Sequence, residues 1–285
     1  MRILCCLNDD VVSNVALNLL LPALAPHEVQ VGLSSLIGGS GAATNDPRPR
    51  EELRVAEQRL FNDVVFPAID RAALPRGNRY LTFGEIERHV GFRVARLPAP
   101  NAGDGLAVLQ SFAPELIVSI RYGAIFRAPA ISVPRLGILN LHAGLLPTYR
   151  GVIASFRALM AGEREIGCTL HYISDATIDT GAIVSQSRVP VDPNRSLFSH
   201  VLSLYPGGVA MIADALERLT RGEELPAHSQ SGGSYYSYPS AEEWDEFLRR
   251  GWRVADPSDL YELASRYVDS DPNSGYIRAT PDPHP

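Results

Sequence analysis

The sequence predicts an α/β protein, a doubly wound and mostly parallel sheet followed by a small C-terminal appendage. Two observations carry this prediction. Short apolar runs alternate with segments whose apolar residues recur every three or four positions, the pattern of buried strands joined by crossover helices. After Glu224 that pattern gives way to Gly, Ser and Tyr and then to short helical stretches. Residues 1–224 are therefore read as the main domain, 225–268 as the appendage and 269–285 as a mobile tail.

The elements follow in order. "MRILCCL" is a first buried strand, "NDD" a turn, and a helix starts at about Val11; "EVQVGLSSL" is a second strand. Ile37 to Arg50 is a loop by its Gly, Pro, Asn and Asp content. A helix then carries Leu53, Ala56, Leu60 and Val64 on one face. "ELIVSI" (Glu115 to Ile120) and "RLGILNL" are buried strands, and "GVIASFRALMAG" is a helix ending at Gly162 as its C-cap. "CTLHYIS" and "AIVSQSRVPV" are strands, and Ser196 to Thr220 reads as one long amphipathic helix. In the appendage, Asp256 as N-cap and Pro257 at the first helical position open a last helix.

Composition narrows the function. The chain has 285 residues, 45% of them apolar, enough for one large core, and a formal charge of −6. No cluster of Lys and Arg offers a phosphate-binding face; Arg48, Arg50, Arg249 and Arg250 come in pairs near acids, so no nucleic-acid partner is expected. The three cysteines, Cys5, Cys6 and Cys168, have no metal-binding spacing and suit a reducing cytoplasm. "VALNLLLPALA" is interrupted by Asn18 and Pro22 and is too short for a membrane span, and no secretory signal is visible. A cytoplasmic protein without a metal or a membrane partner is the expectation.

The chemistry gathers in "NLHAGLLPTYRG", Asn140 to Gly151. Alternation along a strand puts Asn140 and His142 on one side, at the carboxyl end where open α/β sheets bind ligands. Downstream, "ISDATIDTGAIV" carries Asp175 and Asp179 into a turn in which Gly181 is expected to supply the unusual backbone angle. Asn, His and Asp make a coherent acyl-transfer set without a nucleophile: an amide donor for an oxyanion, a proton-trading imidazole and a carboxylate that orients it.

Asn140-Leu-His142, "GLLPTYRG" and "IDTG" resemble the catalytic domain of the 10-formyltetrahydrofolate-dependent formyltransferases, which act on methionyl-tRNA, glycinamide ribonucleotide, amino sugars or hydroxyornithine. The likeness covers roughly Leu106 to Val191, with Gly144 where the family often has Ser. It implies a Rossmann-like domain, catalysis by Asn140, His142 and Asp179, and 10-formyltetrahydrofolate as formyl donor. An amine would attack the formyl carbon, Asn140 and His142 would stabilise the oxyanion, and His142 with Asp179 would manage the proton. The strand and loop "SIRYGAIF" correspond to the family's pterin enclosure, so Tyr122, Gly123, Ile125 and Phe126 are expected at the folate. Leu146, Pro147, Arg150 and Asp175 join them. Tyr122 and Phe126 could instead be core aromatics, and Arg150 could pair with a surface carboxylate rather than bind the folate's acidic tail. His171 is read as structural.

The acceptor is less constrained. "CLNDDVVSN" stands where the glycinamide-ribonucleotide enzymes carry a Gly-rich phosphate loop; Asp9 and Asp10 there, with Asn8 beside them as a further substrate-binding candidate, would repel a phosphate and suit a cationic amine, or else cap the helix. Tyr235, Tyr236 and Tyr238 could stack on a nucleotide-linked sugar or pack the appendage onto the core. A small amine is expected, with a hydroxyornithine-like amino acid ahead of a nucleotide-linked amino sugar; a formyltetrahydrofolate hydrolase and a non-catalytic folate-binding protein are the alternatives. Loss of one oxyanion donor typically costs ~3 kcal/mol of transition-state stabilisation. Asn140→Ala is accordingly expected to lower turnover at least about a hundredfold while folate binding survives; near-normal turnover in that variant overturns the assignment.

Overall fold

The first apolar run forms β1 (Arg2–Asn8) in the computed structural model, which describes residues 1–34 and 47–268. Asp10 then caps α1 (Val11–Leu24), its side chain accepting from the Ser13 N–H at 2.7 Å, and β2 (Glu28–Ser34) follows. Residues 37–46 of the expected loop lie outside the described residues. From Arg48 the chain is already helical, with Pro49 in the first turn, where its missing N–H costs nothing. α2 (Arg48–Arg54) runs through two π-helical turns, Val55–Arg59 and Phe61–Val65, into α3 (Phe66–Ala72). The wide turns break the regular periodicity. Leu53 and Ala56 are buried as expected, but Val64 is turned outward and is 58% exposed.

The next elements are α4 (Phe83–Val90), β3 (Arg93–Arg96), α5 (Gly103–Phe112), β4 (Leu116–Ile120), α6 (Ala128–Ile131) and β5 (Ile138–His142). A short β6 (Tyr149–Gly151) precedes α7 (Ala154–Ala161), which ends at Gly162 in the left-handed conformation. Two long strands, β7 (Glu165–Tyr172) and β8 (Ile183–Pro190), lead to α8 (Leu197–Ser203) and α9 (Tyr205–Thr220). The single helix expected from Ser196 to Thr220 is thus two. Pro206, in the first turn of α9, has no N–H to continue the ladder from α8.

Seven strands form one sheet in the order β3-β2-β1-β4-β5-β7-β8. The pairs from β3 through β5 are parallel, and β7 and β8 are added antiparallel. Helices cover both faces: α1 and α9 pack together on one, while α5 and α6 close a smaller core around Leu4, Cys6, Ile117 and Phe126. Cys5, Cys6 and Cys168 are all buried, and burial pushes the Cys5 thiol up to about 12, so none is a ready nucleophile. Among the described residues, no helix is long and apolar enough to cross a membrane, and no cluster of His, Cys, Asp and Glu could hold a metal.

Beyond Glu224 come β9 (Ser234–Tyr236), α10 (Ala241–Arg249) and α11 (Pro257–Val268); the tail from Asp269 lies outside the described residues. β9 pairs in parallel with β6 in a separate two-stranded ribbon. α10 starts in a capping box between Ser240 and Glu243 and sinks Trp244 and Phe247 onto Phe156 of α7, with ring centroids 4.6 and 4.8 Å away. α11 inserts Tyr267 between Phe66 and Tyr80, where its hydroxyl donates to Asn14 Oδ1 at 2.7 Å. These rings belong to the same core cluster as the sheet. Trp244→Ala should therefore destabilise the whole protein by about 3–5 kcal/mol in urea unfolding; a loss below about 1 kcal/mol would mean that α10 lies outside the cooperative core.

Candidate active site

The carboxyl end of β5 carries Asn140 and His142 on one side, as strand alternation requires. The antiparallel register of β5 with β7 sets Asn140 opposite His171 and His142 opposite Thr169. Asn140 Nδ2 lies 3.0 Å from His171 Nε2, and His171 Nδ1 faces the Tyr172 carbonyl at 2.9 Å. The Tyr172 carbonyl only accepts, so Nδ1 carries a proton, and Nε2 faces the Asn140 amide. The Asn140 side chain is thereby fixed beside His171. His171, read from the sequence as structural, is in fact in direct contact with the proposed oxyanion donor. Only strand register brings it there, and no local motif announces it.

His142 is held at both nitrogens: Nε2 lies 2.7 Å from the Tyr149 carbonyl and Nδ1 lies 3.4 Å from Asp179 Oδ2. Both neighbours are acceptors. Asp179 Oδ2 also accepts from the Gly151 N–H at 2.9 Å, and Oδ1 sits 3.5 Å from His171 Nε2. Burial alone would push the Asp179 carboxyl up. The charge of His142, the approach of His171 and the Gly151 N–H outweigh it and hold the carboxyl at about 2 against an ordinary 3.8.

The backbone of "IDTG" differs from expectation. The unusual angle belongs to Asp179 itself, at φ 55, and not to Gly181. Gly181 is needed for space, since a Cβ there would lie 1.8 Å from the Tyr172 carbonyl oxygen. Gly144 is needed for the same reason: a Cβ would meet the Ala154 methyl at 2.5 Å and His142 Nε2 at 2.6 Å. Thr169 and Gln186, two residues the sequence did not single out, brace the loop between them. Thr169 Oγ1 donates to the Gly144 carbonyl at 2.7 Å and accepts from the Leu146 N–H, while Gln186 donates to the Leu146 carbonyl at 2.7 Å.

The remaining expected site residues divide. Ile125 is exposed and Gly123 is half-buried, with its N–H on Ser34 Oγ. Phe126 is only 2% exposed and belongs to the smaller core, so its ring cannot line a pocket. Tyr122 stacks on it, with its hydroxyl on the Leu97 carbonyl, and is a half-buried edge of that core. Leu146 is buried and Pro147, joined to it by a cis peptide, is half-buried. Asp175 is exposed and bonded to the N–H and hydroxyl of Thr177, an Asx turn that holds its carboxyl below the usual range. Arg150 donates to the Gly233 carbonyl at 3.3 Å and pairs with Tyr235 in the β6–β9 ribbon.

On the acceptor side, Asn8 and Asp10 are corrections. Both are buried: Asn8 donates to Asp10 Oδ2 at 2.8 Å, and Asp10 also caps α1 and pairs with Arg121 at 3.1 Å. They are committed to protein partners and not presented to a substrate. Arg121, at the carboxyl end of β4 with φ 56, is clasped on its other side by Glu57 at 2.6 Å. Asp9 pairs with Arg96 at 2.7 Å. Tyr235 is 53% exposed, next to Gly151.

The sequence model of the formyl transferase family matches residues 99–201, the stretch that holds Asn140, His142, His171 and Asp179. The methionyl-tRNA formyltransferase of Burkholderia ambifaria is 33% identical over 174 residues, 58% of this chain and 53% of that protein. Over this stretch the chain is similar to the formyltransferase family. It spans about half the length of the curated relatives it matches. Two solved formyltransferases share the fold. Glycinamide ribonucleotide transformylase 1 from Symbiobacterium toebii superposes with a TM-score of 0.53 at 19% identity, covering 81% of this chain and 94% of its own. An N-formyltransferase from Helicobacter canadensis, in complex with folinic acid and dTDP-3-aminofucose, gives 0.51 at 18% identity, covering 83% and 71%.

In this site the Asn140 amide can donate to negative charge on an acyl oxygen, and the His142–Asp179 pair can hold or pass a proton. The depressed carboxyl has a stability consequence whose sign is fixed. A folded value of about 2 against 3.8 contributes stability that is complete above the ordinary value and lost as pH falls through about 2. Asp179→Asn should flatten the acid limb of the wild-type Tm–pH profile between about pH 4 and pH 2, and cost on the order of 2 kcal/mol above it. Parallel profiles for the two proteins would overturn this account of Asp179.

Proposed function

We propose that the protein is an N-formyltransferase that moves the formyl group of 10-formyltetrahydrofolate to the amine of a small molecule. The observation that carries the reading is the meeting of Asn140, His142 and Asp179 at one strand end within the family-matched stretch. In the reaction a bond forms between the amine nitrogen and the formyl carbon, the bond from that carbon to N10 breaks, and tetrahydrofolate leaves with the proton the amine gives up. Asn140 and His142 act on the carbonyl oxygen, and His142 with Asp179 carries the proton. Ile125, Gly123 and the edge of Tyr122 are proposed to face the pterin. A cytoplasmic setting fits three buried, unpaired thiols.

For the acceptor, a hydroxyornithine-like amino acid is proposed first. The cavity beyond the carboxyl end of β1 is lined by Asp9, Arg59, Asp63, Asp70 and Arg96. Fixed charges of both signs suit an acceptor that itself carries both. A nucleotide-linked amino sugar is the second reading, favoured by the exposed Tyr235 beside Gly151 and by the neighbour from Helicobacter canadensis. Charged tRNA belongs in the test because the curated relatives are methionyl-tRNA formyltransferases.

The test follows tetrahydrofolate release from 10-formyltetrahydrofolate with N-hydroxyornithine, amino-sugar nucleotides, glycinamide ribonucleotide or charged tRNA. Release that requires N-hydroxyornithine is the expected result. Release that requires another amine moves the acceptor to that class, and release without any amine replaces the transferase with a hydrolase. Folate binding with no release in any well makes the protein a folate-binding one.

A further inference from the structure

We propose that Gln230, outside the family-matched stretch, is a positioning residue for the Asp179 carboxylate, a role that rests on the formyl-transfer reading above. Asp179 is a non-glycine residue in the left-handed region, at φ 55, a conformation that persists only where the surroundings hold it. Gln230 supplies that hold. Its Nε2 donates to the Asp179 carbonyl at 3.1 Å and to the Gly181 carbonyl at 2.6 Å, spanning the turn from one side to the other. Both partners are acceptors only, so the amide nitrogen must be the atom that faces them. Its Oε1 is buried without a protein partner, so the side chain serves the fold here as a donor alone.

The segment around Gln230 is fastened at both ends. His228 exchanges two backbone hydrogen bonds with Ile183, each 2.9 Å, and Ser234–Tyr236 pairs with β6. That second pairing reaches Asp179 by another route, because β6 contributes the Gly151 N–H bonded to Asp179 Oδ2 at 2.9 Å. The C-terminal segment therefore grips Asp179 twice, at its carbonyl through Gln230 and at its carboxylate through β6. With both ends of the residue fixed, the carboxylate is aimed at His142 Nδ1. Without Gln230 the backbone end is released and the turn can relax to an ordinary conformation, carrying the carboxylate away from the ring.

The test compares wild type with Gln230→Met and Gln230→Glu, which keep the length of the side chain and remove both donors. Each should lower kcat about tenfold to a hundredfold, the usual cost of a misplaced catalytic group. KM for the amine and the Kd of folinic acid should stay within about twofold, because Gln230 is not assigned to either ligand. A wild-type kcat in Gln230→Met overturns the proposal, as does a fall in which kcat, folinic acid affinity and Tm drop together. A crystal structure of Gln230→Met decides independently of turnover, so a failure of the formyl-transfer reading is distinguishable from a failure of this one. Asp179 is expected to leave the left-handed region and withdraw from His142; Asp179 unmoved overturns the role given to Gln230.

Discussion

A carboxylate that is nine-tenths buried must be matched by charge and hydrogen bonds or it will take up a proton. In this protein that requirement falls on Asp179, and the site is arranged to meet it. His142 faces one oxygen, His171 approaches the other, and the Gly151 N–H adds a charge-assisted bond. Each partner comes from a different element: β5, β7 and β6. All three help to hold the carboxylate ionised, so the ion also ties together the strands around it. The β6 partner in turn needs β9, which ties the C-terminal segment to the same demand.

The second buried charge cluster sits where β1 and β4 separate. Arg121 lies between Asp10 and Glu57, while Asp10 also caps α1 and holds Asn8. Removing one member would strand the others in a poorly solvated place, and the trio is thereby locked into one arrangement. The π-helical turns are part of this lock. They set Glu57 against Arg121 and bring Gln58 and Asn62 to the Asp9 carbonyl, at 3.1 and 2.7 Å. The carboxyl ends of β1 and β4 are thus lined by groups already bound to one another.

Close packing accounts for the departures from family pattern. Gly144 stands where a serine is common because the His142 ring and Ala154 occupy the space of its Cβ. The loop it opens is braced by Thr169 and Gln186 across the antiparallel strands, which fixes the distance between the His142 ring and the Tyr149 carbonyl it contacts. Backbone strain accompanies both charge clusters. Among the described non-glycine residues in the left-handed region, Ala73, Ala113 and Ile153 sit at helix ends, while Arg121 and Asp179 belong to the two charge clusters. Each is held there by hydrogen bonds that a relaxed backbone would lose.

By itself the sequence determined the alternation of strands and helices, the burial of Cys5 and Cys6, and the candidacy of Asn140, His142 and Asp179. These follow from local rules: apolar periodicity, the two-residue repeat of a strand and short motifs with little freedom in spacing. It misread Val64 and the helix after Ser196, and it gave no sign that His171 touches Asn140. His171 enters the site through the register of β5 with β7, a pairing between distant segments. Val64 turns outward because π-helical turns shift the helix face, and Pro206 breaks a periodicity that continues unchanged on paper. The tertiary structure alone decided that Asn8 and Asp10 are consumed internally, that Asp179 bears the backbone strain, and that Gln230 reaches it from the far end of the chain. The physical reason is the same in each case. Hydrogen bonds and ion pairs between groups far apart in sequence depend on where the whole core brings the backbone, and no local pattern encodes that.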